Sequence, residues 1–158
     1  MLNASNLKKI NLSAVRVAVV RSRFNDDITQ SLMNAAQRGL EQAGLQKNEI
    51  ESFDVPGAFE ISLLAQELAK TGKYAGIVCL GAVIRGDTPH FDYVCQAVTQ
   101  GIVSAQLNTG VPMAFGIITT NNLEQALLRS GPGDDNKGFE AAQVVVEMID
   151  QLKNVRSR

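Results

Sequence analysis

Apolar residues fall into two recurring patterns along the chain: short runs rich in β-branched side chains, and longer stretches in which apolar positions return every three or four residues. Val15 to Val20 (VRVAVV) is the first run, a predicted strand. The polar loop Arg21-Ser22-Arg23-Phe24-Asn25 follows, and Asp26 or Asp27 is placed to cap a helix. Ile28, Leu32, Ala35, Ala36, Leu40 and Ala43 keep helical spacing up to Gly44, a natural stop. Ile50 to Val55 alternates apolar and polar residues, as a strand near a sheet edge does. Pro56-Gly57 breaks it, and Phe59, Leu63, Leu64 and Leu68 predict one face of a second helix that ends near Gly72.

Ile77 to Ile84 is almost unbroken apolar sequence, the mark of a strand buried on both faces of a parallel sheet. The loop Arg85-Gly86-Asp87-Thr88 ends in a good N-cap, and Pro89 stands where a helix tolerates a missing N–H. Val94, Ala97, Val98, Gly101 and Ala105 give that third helix a buried face. Val111 to Thr119 is a fourth strand; Asn121 with Glu124 predicts a capping box for a short helix ending at Gly131. After the turn-rich GPGDDN, residues 131–136, a last helix runs from Lys137 to about Leu152 with Phe139, Val145, Val146, Ile149 and Leu152 inward. Residues 1–13 are polar, without a period, and read as an arm.

Strands and helices alternate, and the connections are too long for hairpins but suit crossover helices. The expected fold is α/β: a four-stranded parallel sheet flanked by helices on both faces, a three-layer sandwich for which a flavodoxin-like arrangement is the candidate. The pattern leaves strand order open. With 158 residues, 45% hydrophobic and 20% charged, one domain is expected.

Charge and composition narrow the function. Fifteen Lys and Arg against 16 Asp and Glu give a net charge of −1 and no field to attract nucleic acid or an anionic membrane. The absence of Trp argues against a base-stacking surface. A single histidine cannot build a His/Cys metal cluster, and Cys79 and Cys95 read as small hydrophobes of a reducing compartment. Ser13 and Arg16 interrupt anything like an apolar signal core, and no stretch approaches a membrane span, so a soluble, cytoplasmic protein is expected.

In a parallel sheet, the loops at 21–26, 56–59, 85–89 and 119–122 share the carboxyl edge, where such folds place ligands. Phe24, Asn25, Phe59, Glu60, Asp87, Thr88 and His90 gather there: an aromatic face, an amide, carboxylates, a hydroxyl and an imidazole. These groups suffice to hold a flat heterocycle and move protons on it. His90 is the foremost candidate, because histidine titrates near neutrality and both gives and takes protons. Gly86-Asp87-Thr88 has the makings of an anion site at a helix N-terminus, although Asp87 and Thr88 are equally read as helix caps. Neither GxxxxGK[ST] nor GxGxxG occurs. Arg129 equally suits a helix dipole, Lys137 a solvated position, and Phe24 and Phe115 the core.

Taken together, Arg23-Phe24-Asn25, Val55-Pro56-Gly57-Ala58-Phe59-Glu60, Gly81-Ala82-Val83-Ile84-Arg85-Gly86, His90-Phe91-Asp92-Tyr93-Val94, Phe115-Gly116, Glu124-Gln125-Ala126 and Asn136-Lys137-Gly138 resemble the lumazine synthase family, from about Val15 onward. The resemblance implies a transferase of riboflavin biosynthesis. It condenses 5-amino-6-(D-ribitylamino)uracil with 3,4-dihydroxy-2-butanone 4-phosphate, releases phosphate and water, and uses no metal or organic cofactor. By the same resemblance, His90 is the general acid/base and Phe24 stacks on the pyrimidine, beside Asn25. Ala58, Phe59 and Glu60 hold the ribityl chain and ring, while the backbone of Ala82, Val83 and Ile84 meets the uracil edge. Asp87 and Thr88 receive the phosphate with Arg129 as cationic partner, and Phe115 and Lys137 complete the substrate-binding set.

The resemblance also implies a site between neighbouring subunits, with Phe115 from the adjacent copy and the amino-terminal arm extending the neighbour's sheet. It implies homopentamers, and the short loop 131–136 is of the length associated with members that assemble twelve pentamers into a 60-subunit icosahedral shell. Riboflavin synthase is then a candidate partner. Ser62 stands where the family commonly has proline, and GPGDDN is more acidic than the usual loop. The competing reading is a non-catalytic flavin- or lumazine-binding shell protein of the same fold.

Overall fold

The computed structural model describes residues 7–158. Four strands, β1 (Val17–Ser22), β2 (Ile50–Val55), β3 (Gly76–Ile84) and β4 (Met113–Thr120), are joined by helices α1 (Asp26–Gln42), α2 (Ile61–Lys70), α3 (His90–Thr109) and α4 (Leu123–Arg129), with α5 (Lys137–Arg156) last. Every strand pairing is parallel and the order is β2-β1-β3-β4. These are the first four positions of a flavodoxin-like sheet, whose direction of winding switches between β1 and β3.

Alternation along the strands fills two cores. Val17, Val19, Val78 and Leu80 pack toward α1 and α5, where Leu32, Leu40 and Val145 meet them. Ala18, Val20, Ile77 and Cys79 face α2 and α3 through Ile61, Ala65, Val98 and Ile102. The result is the expected three-layer sandwich, with β2 at an edge as its alternating pattern requires. Burial pushes the Cys79 thiol up to about 12, so it acts as a hydrophobe. No helix among the described residues is long and apolar enough to cross a membrane.

Local chemistry moves several boundaries. β1 extends through Arg21 and Ser22, which the pattern assigned to a loop, because Arg21 finds carboxylate partners and is only 6% exposed. A 3-10 turn over Ala58–Glu60 resets the phase of the next helix. α2 therefore turns Ile61, Ala65, Leu68 and Ala69 inward, leaving Phe59 and Leu63 exposed rather than on the buried face. Asn122, not Asn121, caps α4: its side chain accepts the Gln125 N–H at 2.9 Å, and Gln125 Oε1 accepts the Asn121 N–H at 2.9 Å. Glu124 takes no part in that exchange.

Residues 1–6 of the expected arm lie outside the described residues. The rest follows its own chain, with the Lys8 N–H donating to Glu147 Oε2 at 3.2 Å. The Leu12 N–H donates to Ala43 O at 2.7 Å, and Leu12 joins the core beneath α1 and α5.

Candidate active site

Three loops at the carboxyl edge build a cleft at the β1/β3 switch point. In the first, the N-cap of α1 is Asn25, in place of the expected Asp26 or Asp27, and its backbone is left-handed at φ 61° and ψ 53°. Asparagine tolerates that region better than most residues. Its amide does not cap the helix; Nδ2 donates to Ala82 O at 3.0 Å and ties the loop to β3. The Arg23 N–H donates to Val55 O at 2.8 Å and the Phe24 N–H to Pro56 O at 3.1 Å. The backbone around Phe24 is thus held while its ring stands 72% exposed.

The base of this loop is ionic. Arg21 makes a two-pronged contact with Asp54, from Nε to Oδ1 at 3.0 Å and from Nη2 to Oδ2 at 2.8 Å, and Nη1 reaches Asp26 Oδ1 at 2.7 Å. The hydrogen bond from Arg21 holds the Asp54 carboxyl below its ordinary value, and Asp54 in turn raises the guanidinium's.

The second loop carries the turn of Ala58–Glu60, steadied by a 3.0 Å bond from the Gly57 N–H to Glu60 Oε2. In the third, Arg85 binds both Asp92 oxygens, at 3.1 and 3.3 Å, and Asn121 Oδ1 at 3.2 Å. Its guanidinium also lies 4.3 Å from the centre of the Phe91 ring. These contacts fix the first turn of α3, which opens on His90. Pro89 occupies the cap position expected for Thr88, and the Thr88 hydroxyl sits 3.4 Å from the His90 N–H.

The cleft has a volume of about 640 Å³, within the usual range for a small organic ligand. Phe24, Asn25, Ala58, Phe59, Glu60, Ala82, Val83, Ile84, Thr88 and His90 all line it. Asp87 belongs to the same loop as Thr88 but not to the wall. Gly86 of the candidate anion loop lines it too, and so do Gly57, Phe91 and Val94, which the sequence reading did not place in the site. The signal for Val94 was its i+4 spacing from His90, which puts both on one helical face; its apolar character pointed to the core instead.

Phe115, Arg129 and Lys137 are elsewhere. They line a second depression of about 540 Å³ between β4 and α5, together with Thr119 and Glu140, and it shares no residue with the first. Arg129 Nη1 donates to Gln125 O at 3.0 Å, and Lys137 Nζ is paired with Glu140 Oε2 at 2.8 Å. Asn136 caps α5 by accepting the Gly138 N–H at 2.8 Å, which sets Lys137 at the helix start. One concavity therefore offers an aromatic face, peptide groups, a carboxylate, a hydroxyl and an imidazole; the other offers two cations and an aromatic ring. Among the described residues no group of three His, Cys, Asp or Glu is placed to ligate a metal.

Two solved structures of a GDP-L-fucose synthetase from Naegleria fowleri, one bound to NADP, match 95% and 94% of the chain at 13% and 12% identity, with TM-scores of 0.42 and 0.37. The chain spans about half the length of those proteins, 48% and 46%. The family model described as 6,7-dimethyl-8-ribityllumazine synthase matches residues 14–153, nearly the whole chain and both concavities. The chain belongs to the 6,7-dimethyl-8-ribityllumazine synthase family.

Proposed function

We propose that the protein is a 6,7-dimethyl-8-ribityllumazine synthase, joining 5-amino-6-(D-ribitylamino)uracil to 3,4-dihydroxy-2-butanone 4-phosphate with release of phosphate and water. The observation that carries this reading is the gathering of Phe24, Glu60, Thr88 and His90, from three separate loops, in one cleft sized for the pyrimidine.

The pyrimidine stacks on Phe24 and sets its uracil edge against the backbone of Ala82 to Ile84. Its ribityl chain lies along Ala58 to Glu60, where Glu60 keeps Oε1 for the ligand's hydroxyls while Oε2 holds Gly57. The substrate brings its own amine, so imine formation with the ketone needs proton transfers and held geometry rather than an enzyme lysine. His90 supplies the proton transfers. Thr88, at the N-terminal end of the 20-residue α3, receives the phosphate, and Asp87 contributes through its backbone rather than its carboxylate.

Arg129 and Lys137 complete the phosphate site from a neighbouring copy, together with Phe115 as a second wall. This assignment is supported by their separation from His90 within one chain. β4 is an edge strand, open to an added strand from the neighbour's arm. Leu63, Tyr93, Val103 and Leu107 on α2 and α3 are exposed apolar residues that a homopentamer would cover. Leu123, Leu127 and Leu128 on α4 serve contacts between pentamers in a 60-subunit shell. Sedimentation showing only free pentamers at neutral pH would remove the shell.

Mixing the purified protein with both substrates and following lumazine fluorescence against a no-enzyme control tests the activity: accelerated product supports it. A folded oligomer that binds flavin tightly but gives no acceleration leaves the non-catalytic reading. Arg129→Ala is expected to raise the KM for the butanone phosphate roughly thirtyfold, the loss of a charge-assisted hydrogen bond of about 2 kcal/mol. The KM for the pyrimidine should stay within about twofold in the same titrations. An unchanged butanone phosphate KM removes Arg129 from the phosphate site.

A further inference from the structure

Arg21 occupies a position that the fold would fill with a hydrocarbon. It follows Val17 and Val19 on the face of β1 that points into the α1/α5 core, and it is 6% exposed. Its guanidinium is nearly buried, while the carboxylates that pair with it keep 67% (Asp26) and 42% (Asp54) of their side chains exposed, so the contact runs from the core to the loops at the sheet edge.

Its contacts lie across the base of two loops of the cleft. Asp26 opens α1 directly after Asn25, so the bond from Arg21 to Asp26 closes the Phe24 loop across its neck. Asp54 is Arg21's register partner on β2, one residue before Val55, whose carbonyl accepts the Arg23 N–H. The chain beyond Asp54 goes directly into the Gly57–Glu60 wall. One planar guanidinium, with its donors in a fixed fork, therefore sets both loops at once.

We propose that Arg21 is a positioning residue: through Asp26 and Asp54 it fixes the gap between the Phe24 ring and the Ala58–Glu60 wall, and with it the affinity and orientation of the pyrimidine. This rests on the pyrimidine-binding reading of the cleft. It assigns Arg21 no contact with the reacting atoms and no part in the phosphate site.

The test is Arg21→Met, with Arg21→Lys beside it. The side chains of Asp26 and Asp54 are 67% and 42% exposed, so neither carboxylate is stranded when the guanidinium is lost. In Arg21→Met the pyrimidine KM is expected to rise about tenfold, with the butanone phosphate KM and the kcat within about twofold. Hydrogen exchange at the Arg23 and Phe24 amides should quicken about tenfold while β3 amides and the melting temperature hold. Lysine can reach one carboxylate but not brace both, so Arg21→Lys should fall between parent and Met variant. An unchanged pyrimidine KM in an active protein overturns the proposal, as does exchange that rises throughout the sheet with a lowered melting temperature. If the parent itself makes no lumazine, the activity reading fails, and exchange at Arg23 and Phe24 still decides the brace: unchanged exchange overturns it.

Discussion

His90→Ala is expected to lower kcat by about 10²-fold with the KM of each substrate within a few-fold of the parent's. Positioned acid/base groups contribute on the order of 10² to 10⁴. The low end is expected for the proposed reaction, in which the substrate brings its own amine and the histidine only hastens proton transfers. Under the proposed function, ground-state binding is assigned to Phe24, the strand backbone and the two cations, none of which the change touches. Steady-state kinetics in both substrates check this. Equal kcat in mutant and parent would end the acid/base role, and a large rise in either KM with kcat intact would make His90 a binding residue.

Gly138→Ala is expected to cost about 3 kcal/mol and lower the melting temperature by about 10 °C. A Cβ at Gly138 would meet the Leu32 carbonyl oxygen of α1 at 2.0 Å, the carbonyl carbon at 2.7 Å and Cα at 2.9 Å. All three are backbone atoms, so no rotamer change relieves the clash and α1 and α5 must part. Alanine's better helix propensity returns at most about 1 kcal/mol. Thermal unfolding of the variant is the check; a melting temperature equal to the parent's would mean that α5 shifts freely on α1. Because Lys137 precedes Gly138, the same displacement moves a cation of the second concavity.

The stretch from Ile77 to His90 was legible because each signal in it is local. A buried parallel strand is a continuous apolar run, a Thr-Pro step opens a helix, and a parallel sheet brings its carboxyl-end loops together whatever the strand order. The rest depends on partners distant in sequence. Arg21 read as loop because arginine is polar, and only Asp54, 33 residues on, makes it a strand residue. Phe59 and Leu63 have helical spacing with each other, yet a three-residue 3-10 turn sets which face goes inward. Asn25 reads as a site residue beside a cap expected at Asp26 or Asp27, and its tether to Ala82 across 57 residues has no sequence mark. The resemblance put Phe115 on an adjacent copy, but nothing in the sequence marks Arg129 and Lys137 as lying apart from His90 within one chain.

That separation makes a direct test possible. His90→Ala and Arg129→Ala chains, each of low activity when butanone phosphate is held well below the parent's KM, are dissociated, mixed in equal amounts, reassembled and assayed under that condition. If the site is shared between copies, about a quarter of the sites in random mixed oligomers pair an intact His90 concavity with an intact Arg129 concavity, and lumazine formation recovers to roughly a quarter of the parent's rate. Activity that stays at the mean of the two variants after confirmed subunit exchange would contradict a shared site.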